Sequence, residues 1–583
     1  MVSLEVGGEQ VLRHFVLCKQ DQAISTQSSS IISGTYQMSA SHSAEELQKL
    51  LQGILKVLPL KRSAKRCSDP TTRGRFCDPC VQLKAVDAML YAHFEEINKL
   101  LKTRTELEER VNQHHDPLTR LPVEISSHIF AIYTEDLNST FDPRNPIVEH
   151  GPLLLGAVSK SWRRVAFSTP HLWNTVNIRI LSNDNLPMKV GLAKEWLDRS
   201  RQLPLHLSVV HEDSNKVKSK LFPLFKVLQN VSPRWCTLVL GISASLYPTF
   251  LGDVTCAPTL ETLKLIDNSD GQGRFRLPHT PLLKHLDIQV SIPFSDISID
   301  WSSLTTVEAN YITIDEYFDV LRLSEALEHF RLRGLVGNAR YPLPTTPLTN
   351  STLRELYLET TYEHIIHHSE LVTMLNLAVF PSLEKFGYDS LIRTSFPNSA
   401  IPSIFNRSRC QLTHFDLCGD LRDGTTDDLI SILSDLPTIT HFRLEDTWSS
   451  QDGAIMSDQL LQMLTPIRPS EFPHTDKLLP RLESMDFRGY KGFSWGCLAG
   501  LVSAATSDGG SNLRTTPERQ ECTNSIRHIS FEVYAGKEME RIDVQSLARL
   551  QSAHRAGIFR CQVFRGDFGG RVIDPFSCEY DLS

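Results

Sequence analysis

A chain of 583 residues is too long for one core, so two or three structural units are expected. An apolar fraction of 41% and a charged fraction of 22% are ordinary for a soluble globular protein, and no run approaches the roughly 18 apolar residues of a membrane span. The net charge of −8 gives no general reason to expect a nucleic-acid partner, and twelve scattered cysteines do not make a disulfide framework. We therefore expect a cytoplasmic or nuclear protein without a membrane or nucleic-acid partner.

Residues 1–80 are predicted to be disordered or to form a linker. Residues 1–42 show no sustained hydrophobic period, and a weak helix is expected at Ala44–Leu58, which Pro59 ends. The part around Ser25–Ser41 is rich in Ser and Gln, a composition that favours disorder. The basic cluster Lys61–Arg66 fits either a nuclear localisation signal or a solvated linker. Cys77-Asp78-Pro79-Cys80 is a single Cys-x-x-Cys pair, too few ligands for a closed zinc site, so no metal is predicted.

Residues 81–113 carry a helical heptad pattern, which predicts a coiled-coil-like segment. Arg104 and His93 interrupt the apolar seam, so the seam is short and imperfect. Two interpretations stay open, an intermolecular coiled coil or packing against the next domain. The seam residues are Leu83, Leu90, Ile97 and Val111 at one heptad position, and Val86, Leu100 and Leu107 at the other.

Residues 116–175 are predicted to form a small all-α domain. Pro122 suits the first turn of a helix, and Leu121, Ile125, Ile129 and Ile132 recur at helical spacing as an apolar stripe. The stretch 136–151 is rich in Asn, Asp and Pro and is predicted to be a loop. A second helix with Val158 and Trp162 on its apolar side follows, and the segment closes at Pro170–Trp173. So small a domain needs a neighbour to bury its apolar surface, either the following residues or a partner protein.

These residues resemble the F-box, the helical module that docks onto the Skp-type adaptor of cullin-RING ubiquitin ligases. The resemblance is carried by Leu121-Pro122-Val123-Glu124-Ile125, Ile129-Phe130, the run 158–166 and the Pro170–Trp173 close. Ser126 stands where the family usually has leucine. Together with the following strand, the segment is similar to the large fungal group of F-box proteins with leucine-rich tails. The resemblance implies that six residues bind the adaptor: Leu121, Pro122, Ile125, Ile129, Val158 and Trp162.

Residues 176–583 repeat the pattern apolar-x-x-apolar-x-apolar ten times. The copies begin at Leu260, Leu283, Leu304, Leu327, Leu353, Leu383, Leu412, Ile439, Leu482 and Ile526. The first eight begin 21 to 30 residues apart and the last two follow at 43 and 44. Leucine-rich repeats run about 20–29 residues with one strand in each. We therefore predict an α/β solenoid of irregular leucine-rich repeats with a parallel strand ladder and a C-terminal cap.

Strand alternation turns the second and third apolar residues of each copy inward, so their neighbours face an open, concave side. On that side, histidine precedes the second apolar residue in five copies, which indicates either a functional column or a tolerated polar residue. We hypothesise that a protein substrate binds this face. The substrate-binding candidates are Arg331, Tyr357, His414, Asp416, His441 and Arg443.

One motif looks catalytic. Gly492-Phe493-Ser494-Trp495-Gly496 matches a nucleophile elbow, and Asp543 and His554 follow in the order of a hydrolase triad. No α/β-hydrolase pattern surrounds the motif, and Ser494 also fits the N-cap of a helix. We predict the N-cap role, with no catalytic residue and no enzyme activity.

The resemblance implies a substrate-recognition adaptor of an SCF-type ubiquitin ligase. Its partners would be a Skp-type adaptor, a cullin scaffold and a protein substrate that the sequence does not identify, and no cofactor would be needed. The alternative is a ligase-independent interaction scaffold built on the same solenoid.

Overall fold

The computed structural model describes most of the chain from residue 77 onward. The described ranges are 77–139, 151–181, 185–211, 218–266, 273–290, 292–335, 341–360, 368–390, 399–421, 424–446, 454–465, 478–507, 526–535, 542–565 and 571–573. The basic cluster Lys61–Arg66, the helix expected at Ala44–Leu58 and the disorder predicted for 1–80, except for its last four residues, lie outside these ranges. The chain divides into two compact units, Met1–Pro117 and Leu118–Ser583.

The described part of the first unit is mainly one long helix, α1 (Asp78–His115), which includes the whole heptad segment predicted at 81–113. Asp78 in its first turn and His114 and His115 in its last turn suit the helix dipole. Thirty-eight residues make a helix about 57 Å long. The seven apolar seam residues are all exposed.

The second unit opens with three helices: α2 (Val123–Ser139), α3 (Gly151–Val158) and α4 (Lys160–Ser168). Ser159 is the N-cap of α4, because its hydroxyl accepts a hydrogen bond from Trp162 N at 3.1 Å. The loop predicted at 136–151 is wrong for residues 136–139, which extend α2. Asn, Asp and Ser weaken a helix only modestly, and no proline occurs before Pro143.

Trp173 ties these helices to the strands that follow. It ends the 3₁₀ turn Pro170–Trp173 and is 1% exposed. Its ring packs edge-on against Phe167 and Trp196, with centroids 5.4 Å and 4.7 Å away, and its indole N–H donates to Ala166 O at 2.8 Å. The Arg199 guanidinium lies over the same cluster, 4.6 Å from the Trp173 ring centroid. The helices and the strands therefore share one core.

The rest of the unit is built on nineteen described strands. In chain order they are β1 (Thr175–Ile180), β2 (Leu205–His211), β3 (Trp235–Gly241), β4 (Thr262–Ile266), β5 (Phe275–Arg276), β6 (His285–Gln289), β7 (Ile297–Ser298), β8 (Thr306–Ile312), β9 (His329–Leu335), β10 (Leu348–Thr349), β11 (Glu355–Thr360), β12 (Ala378–Val379), β13 (Lys385–Ser390), β14 (His414–Gly419), β15 (His441–Asp446), β16 (Ser484–Tyr490), β17 (His528–Ala535), β18 (Phe559–Arg565) and β19 (Arg571–Ile573).

Fifteen of these strands form one sheet in the order β1-β2-β3-β4-β6-β8-β9-β11-β13-β14-β15-β16-β17-β18-β19. All neighbours are parallel except β18 and β19, and two small parallel sheets, β5-β7 and β10-β12, lie apart from it. All ten predicted repeat motifs are strands of this sheet. The predicted α/β architecture with a parallel ladder is therefore confirmed for the described residues.

Helices connect most of the parallel neighbours, since a parallel pair needs a crossover connection. They are α5 (Leu186–Arg199), α6 (Lys218–Gln229), α7 (Tyr247–Leu251), α8 (Ile314–Leu323), α9 (His368–Asn376), α10 (Ala400–Ser408), α11 (Thr426–Ser434), α12 (Asp458–Leu464), α13 (Trp495–Ser507) and α14 (Val544–Arg555). Capping residues in the sequence mark where several of these helices begin. Thr425 and Asp428 form a reciprocal capping box at α11, with Asp428 N donating to Thr425 Oγ1 at 3.1 Å and Thr425 N to Asp428 Oδ2 at 3.0 Å.

The core runs along the sheet because each repeat contributes the same buried positions. The first apolar residue of every motif is at most 2% exposed, and the second and third are buried on the strand. Equivalent side chains therefore stack: the rings of Phe386, Phe415 and Phe442 lie parallel, with successive centroids 6.1 Å apart. Among the described residues, no helix combines the length and apolar character that crossing a membrane requires.

Because each repeat is buried by its neighbours, an interior break should expose an apolar face. We expect a chain ending at Asp420 to be insoluble or sensitive to protease, since Phe415 loses its Phe442 neighbour and β14 becomes an unpaired edge. Limited proteolysis and soluble yield measure this. A chain ending at Ile573, which keeps every described strand, is the matched control. A soluble, protease-resistant fragment ending at Asp420 would show a domain boundary between repeats.

Candidate functional site

The first candidate surface is the outward side of α2 and the residues just before it. Leu121, Ile125, Ile129 and Ile132, which we call the α2 stripe, follow one another at i, i+4, i+8 and i+11. All four side chains are 39–49% exposed. Pro122 beside them is exposed as well. Contiguous apolar side chains on a folded surface indicate a binding site.

The side of α2 that faces the core carries two hydroxyl groups. Ser126 and Thr134 are buried there together with Phe130. The Thr134 hydroxyl donates within the helix, to Phe130 O at 3.1 Å and Ala131 O at 2.9 Å, so its burial leaves no polar group unsatisfied. The helix thus exposes three isoleucines beside Glu124 and His128, while it buries two hydroxyls beside Phe130. Folding alone does not account for this arrangement.

The six residues that the resemblance implies for adaptor binding fall into two groups. Leu121, Pro122, Ile125 and Ile129 are exposed. Val158 and Trp162 are half-buried, and the Trp162 ring packs against Phe130 with centroids 5.0 Å apart. The structure therefore places Trp162 behind the α2 stripe, where it supports Phe130.

The second candidate surface is the side of the large sheet that faces away from the buried core, which we call the open face. Its residues alternate with the buried ones along each strand. The six substrate-binding candidates all lie on this face, on β9, β11, β14 and β15. With β13 between them, these strands span about 19 Å at the usual strand spacing. The open face thus brings the candidates together from residues 331 to 443.

His414 and His441 are adjacent, as the repeat spacing predicts. They are register partners on β14 and β15, and their rings stack with centroids 4.1 Å apart and planes 5° from parallel. Burial first, and then the charges of His441 and Lys385, lower the pKa of His414, while Asp416 and Glu355 oppose this. His414 therefore stays neutral to a lower pH than an ordinary histidine.

Hydrogen bonds assign the tautomer of both rings. Thr413 Oγ1 donates to Glu384 O at 3.0 Å, so it is left to accept from His414 Nδ1 at 2.9 Å. Thr440 Oγ1 donates to Thr413 O at 3.1 Å and accepts in the same way from His441 Nδ1 at 2.9 Å. Each neutral ring then carries its hydrogen on Nδ1. The two Nε2 atoms are left as a pair of acceptors.

Tyr357 reaches across a whole strand to Asp416. The phenol donates a short hydrogen bond to Asp416 Oδ2, although β13 lies between their strands. Gly387 makes this possible, because a Cβ there would lie 2.3 Å from the Tyr357 ring. Burial first, and then the bond to Asp416, raises the pKa of Tyr357. Sequence reasoning selected Tyr357 and Asp416 but missed Gly387, whose only signal is a glycine inside a strand.

Arginine side chains on the open face are held by carboxylates. Arg443 donates to Glu445 Oε2 at 2.8 Å, and Arg488 reaches Glu445 Oε1 at 3.2 Å. The Arg331 guanidinium lies 5.5 Å from the Tyr357 ring centroid. Exposed ion pairs of this kind contribute little stability, but they fix where the charges stand. The open face is therefore charged and ordered, and both signs are interspersed.

One carboxyl on this face titrates close to neutral pH. Burial first, and then the charges of Glu359 and Glu445, raises the pKa of Asp389 to about 6, while Arg443 and Arg331 oppose the shift. Asp389 lies next to Glu359 on one side and two strands from Glu445 on the other. The charge of the open face consequently changes between pH 5 and 7.

The catalytic-looking motif has structural roles throughout. Ser494 precedes α13 and its hydroxyl accepts from Cys497 N at 3.3 Å, which confirms the predicted N-cap. Asp543 caps α14 by accepting from Ser546 N at 2.9 Å, and His554 Nδ1 lies 3.0 Å from Phe559 O. Within the described ranges, no three His, Cys, Asp or Glu side chains are grouped as a metal site requires.

Comparison with known proteins finds no matching family model and no matching curated protein. Among solved structures, the chain is similar to the leucine-rich repeat-containing protein LegL7 from Legionella pneumophila. The identity is 11% and the TM-score 0.23, and the alignment covers 48% of this chain and 88% of that one. At these values the similarity says nothing about partners or activity.

The crossing of β13 by Tyr357 predicts a specific double-mutant result. Gly387→Ala should lower the free energy of unfolding by about 1–3 kcal/mol, because the new methyl collides with the Tyr357 ring. In a Tyr357→Ala background, Gly387→Ala should lower the free energy of unfolding much less. Chemical denaturation measures both. Gly191→Ala, where a Cβ meets nothing within 4 Å, is the matched control and should not destabilise. Equal costs in both backgrounds would contradict the crossing.

Proposed function

We propose that this chain is the substrate-recognition subunit of a cullin-RING ubiquitin ligase. The α2 stripe would bind the Skp-type adaptor, and the open face would bind the substrate. The observation that carries the proposal is the exposed α2 stripe: the segment that resembles an F-box exposes Leu121, Ile125, Ile129 and Ile132 together on one side of the helix. Apolar side chains in those positions serve a partner.

The size of the α2 stripe fits an interface centre. Four aliphatic side chains, each about half exposed, bury on docking the kind of compact apolar cluster that supplies most of the affinity in protein–protein interfaces. Phe130 and Trp162 support it from behind, so the stripe stands on a packed base. A preformed patch pays little ordering entropy when it binds.

The proposed mechanism needs no catalytic residue in this chain. Ubiquitin transfer would occur on other subunits, and this chain would hold the substrate near the loaded conjugating enzyme. Holding two reactants on one scaffold raises their effective concentration and makes a bimolecular step nearly intramolecular. The shared core around Trp173 supports this role, since it links the α2 helix to the repeats without a flexible joint.

On the substrate side, the stacked histidines set a chemical requirement. With hydrogen on Nδ1, each ring presents Nε2 as an acceptor, so the substrate group that meets the pair has to donate hydrogen bonds. Amide, ammonium and guanidinium groups satisfy this. Tyr357 and Asp416 are already bonded to each other and form a rigid wall beside the pair.

The adaptor proposal predicts the effect of charging the α2 stripe. Ile125→Glu combined with Ile129→Glu should weaken adaptor binding at least about thirtyfold, because truncating or charging a buried anchor typically costs about 2 kcal/mol or more. Both side chains are exposed in the free chain, so the fold should be unchanged. Affinity purification followed by detection of the adaptor and the cullin measures this.

The matched control is Met188→Glu, since Met188 on α5 is 66% exposed and lies outside the stripe. It should co-purify adaptor and cullin as wild type does. If wild type itself recovers no cullin but does recover another partner, the chain is a ligase-independent scaffold. If the doubly charged variant still co-purifies cullin at the wild-type level, the α2 stripe is not the adaptor surface.

The histidine pair predicts a pH-dependent loss of substrate. His414→Ala combined with His441→Ala should reduce recovery of ubiquitinated partners when the proteasome is inhibited. Wild-type capture should also be stronger at about pH 7.5 than at about pH 5.5, because protonation turns the Nε2 acceptors into donors. The lowered pKa of His414 keeps the capturing form down to a more acidic pH than an ordinary histidine would.

His285→Ala is the control for this change, because His285 occupies the same position on β6 and is exposed. It should leave both the capture and its pH dependence unaltered. If the double variant captures partners as well as wild type does, with the same response to pH, the histidines are tolerated polar residues on the strands.

A further inference from the structure

Helix α1 carries an exposed apolar seam along most of its length. Taking Leu83 as heptad position a, the a and d positions contain seven apolar residues that are each 40–64% exposed. They are Leu83, Val86, Leu90, Ile97, Leu100, Leu107 and Val111. A seam with this period and exposure is the surface that a second helix covers in a coiled coil.

Two internal polar residues in the seam determine how a second helix can lie on it. Arg104 occupies an a position and His93 a d position. In a parallel pair each layer contains the same residue twice, so Arg104 would face another Arg104 in the middle of the seam. In an antiparallel pair an a residue faces a d residue, so the two polar residues can share a layer.

Only one antiparallel register does this. When Ile97 faces Leu100 of the second helix, Arg104 faces His93, Leu90 faces Leu107 and Val86 faces Val111. The outermost layer sets Leu83 against His114 in the last turn. A shift by one heptad in either direction sets both polar residues against apolar ones. Burying a charged group against an aliphatic side chain is unfavourable, so polarity selects a single alignment.

We propose that α1 pairs antiparallel with α1 of a second copy of this chain, in the register that sets Arg104 against His93. The polarity of the seam is then self-complementary, which is what a two-fold interface requires. Guanidinium and neutral imidazole in one layer can hydrogen-bond, whereas the parallel pair would bury two guanidinium groups together. The proposal is independent of any ligase role.

The charged residues that flank the seam are compatible with the antiparallel pair but add little to its affinity. Glu108 would lie near Asp87 of the second copy, and Arg104, which already ion-pairs with Glu108 at 2.9 Å, lies next to both carboxylates. On the other edge Met89 would lie near Arg110. One guanidinium between two carboxylates offsets only one of the two negative charges, so this edge adds little to the stability of the pair.

The area of the seam sets the expected strength. A buried aliphatic side chain covers about 60–120 Å² of apolar surface, so seven half-exposed side chains on each of two helices supply roughly 400–800 Å². Standard stable interfaces bury about 1,200–2,000 Å² in total. We therefore expect a reversible dimer, populated at micromolar concentration rather than at nanomolar.

Cysteine cross-linking of the full chain tests the register. With Leu90→Cys and Leu107→Cys together, each cysteine faces the other type on the second copy, and mild oxidation should yield a covalent dimer well above the wild-type background. The two positions are about 26 Å apart within one helix, far beyond disulfide reach, so an intramolecular bond is impossible. Each single variant should cross-link no more than wild type, which also measures the contribution of the native cysteines.

Sedimentation of two further variants measures the affinity of the dimer without introduced cysteines, which could perturb the seam. His93→Leu with Arg104→Leu should tighten the dimer at least tenfold, whereas Arg104→Leu alone should tighten it less, because leucine then faces histidine. Single cysteine variants that cross-link as well as the double variant would establish a parallel pair. A wild-type chain that stays monomeric up to about 100 μM would overturn the proposal.

Discussion

The in-register parallel ladder is the constraint on which the rest of the second unit depends. Most strands pair with their neighbours at equivalent residues, so the backbones of corresponding residues in adjacent repeats lie about 4.8 Å apart. Buried counterparts stack into a continuous core, as the Phe386, Phe415 and Phe442 rings do. Exposed counterparts are forced together as well, which is why two histidines 27 residues apart become a stacked pair. The same rule builds the core and the open face.

The sequence predicts the ladder well wherever a repeat begins with Leu or Ile. Three apolar residues at fixed spacing mark the buried residue before the strand and the two buried residues on it. The ten predicted copies leave out β3, although Trp235, Leu238 and Leu240 fit the pattern and are fully buried. They also leave out β2, where the register shifts between Leu205 and His206 and shortens the spacing by one residue. Both strands bury the residue that corresponds to the first apolar residue of a repeat, Trp235 for β3 and Leu205 for β2. The helical extension to Ser139 was missed because Asn and Asp discourage a helix without stopping it.

The candidate sites were only partly predictable, for a different reason. Strand alternation places His414, Asp416, His441 and Arg443 on one face, but it says nothing about how far a side chain reaches. Tyr357 contacts Asp416 because Gly387 has no side chain, and a missing side chain gives a pattern search nothing to detect. Likewise the sequence shows an apolar stripe on α2 without showing which side of the helix is buried. That depends on Phe130 and Trp162, which face inward together with Ser126 and Thr134.

Stability and partner binding are consequently separable along the same short segment. Trp173 is buried among Phe167, Trp196 and Arg199, so its loss should weaken the junction between helices and repeats by several kcal/mol. Ile125 and Ile129 contribute little to that junction, because nearly half of each side chain is in solvent. A helix that needed its isoleucines for folding would bury them and expose Ser126 and Thr134 instead. An exposed apolar stripe of this kind adds little to the stability of the free chain and is typical of a binding surface.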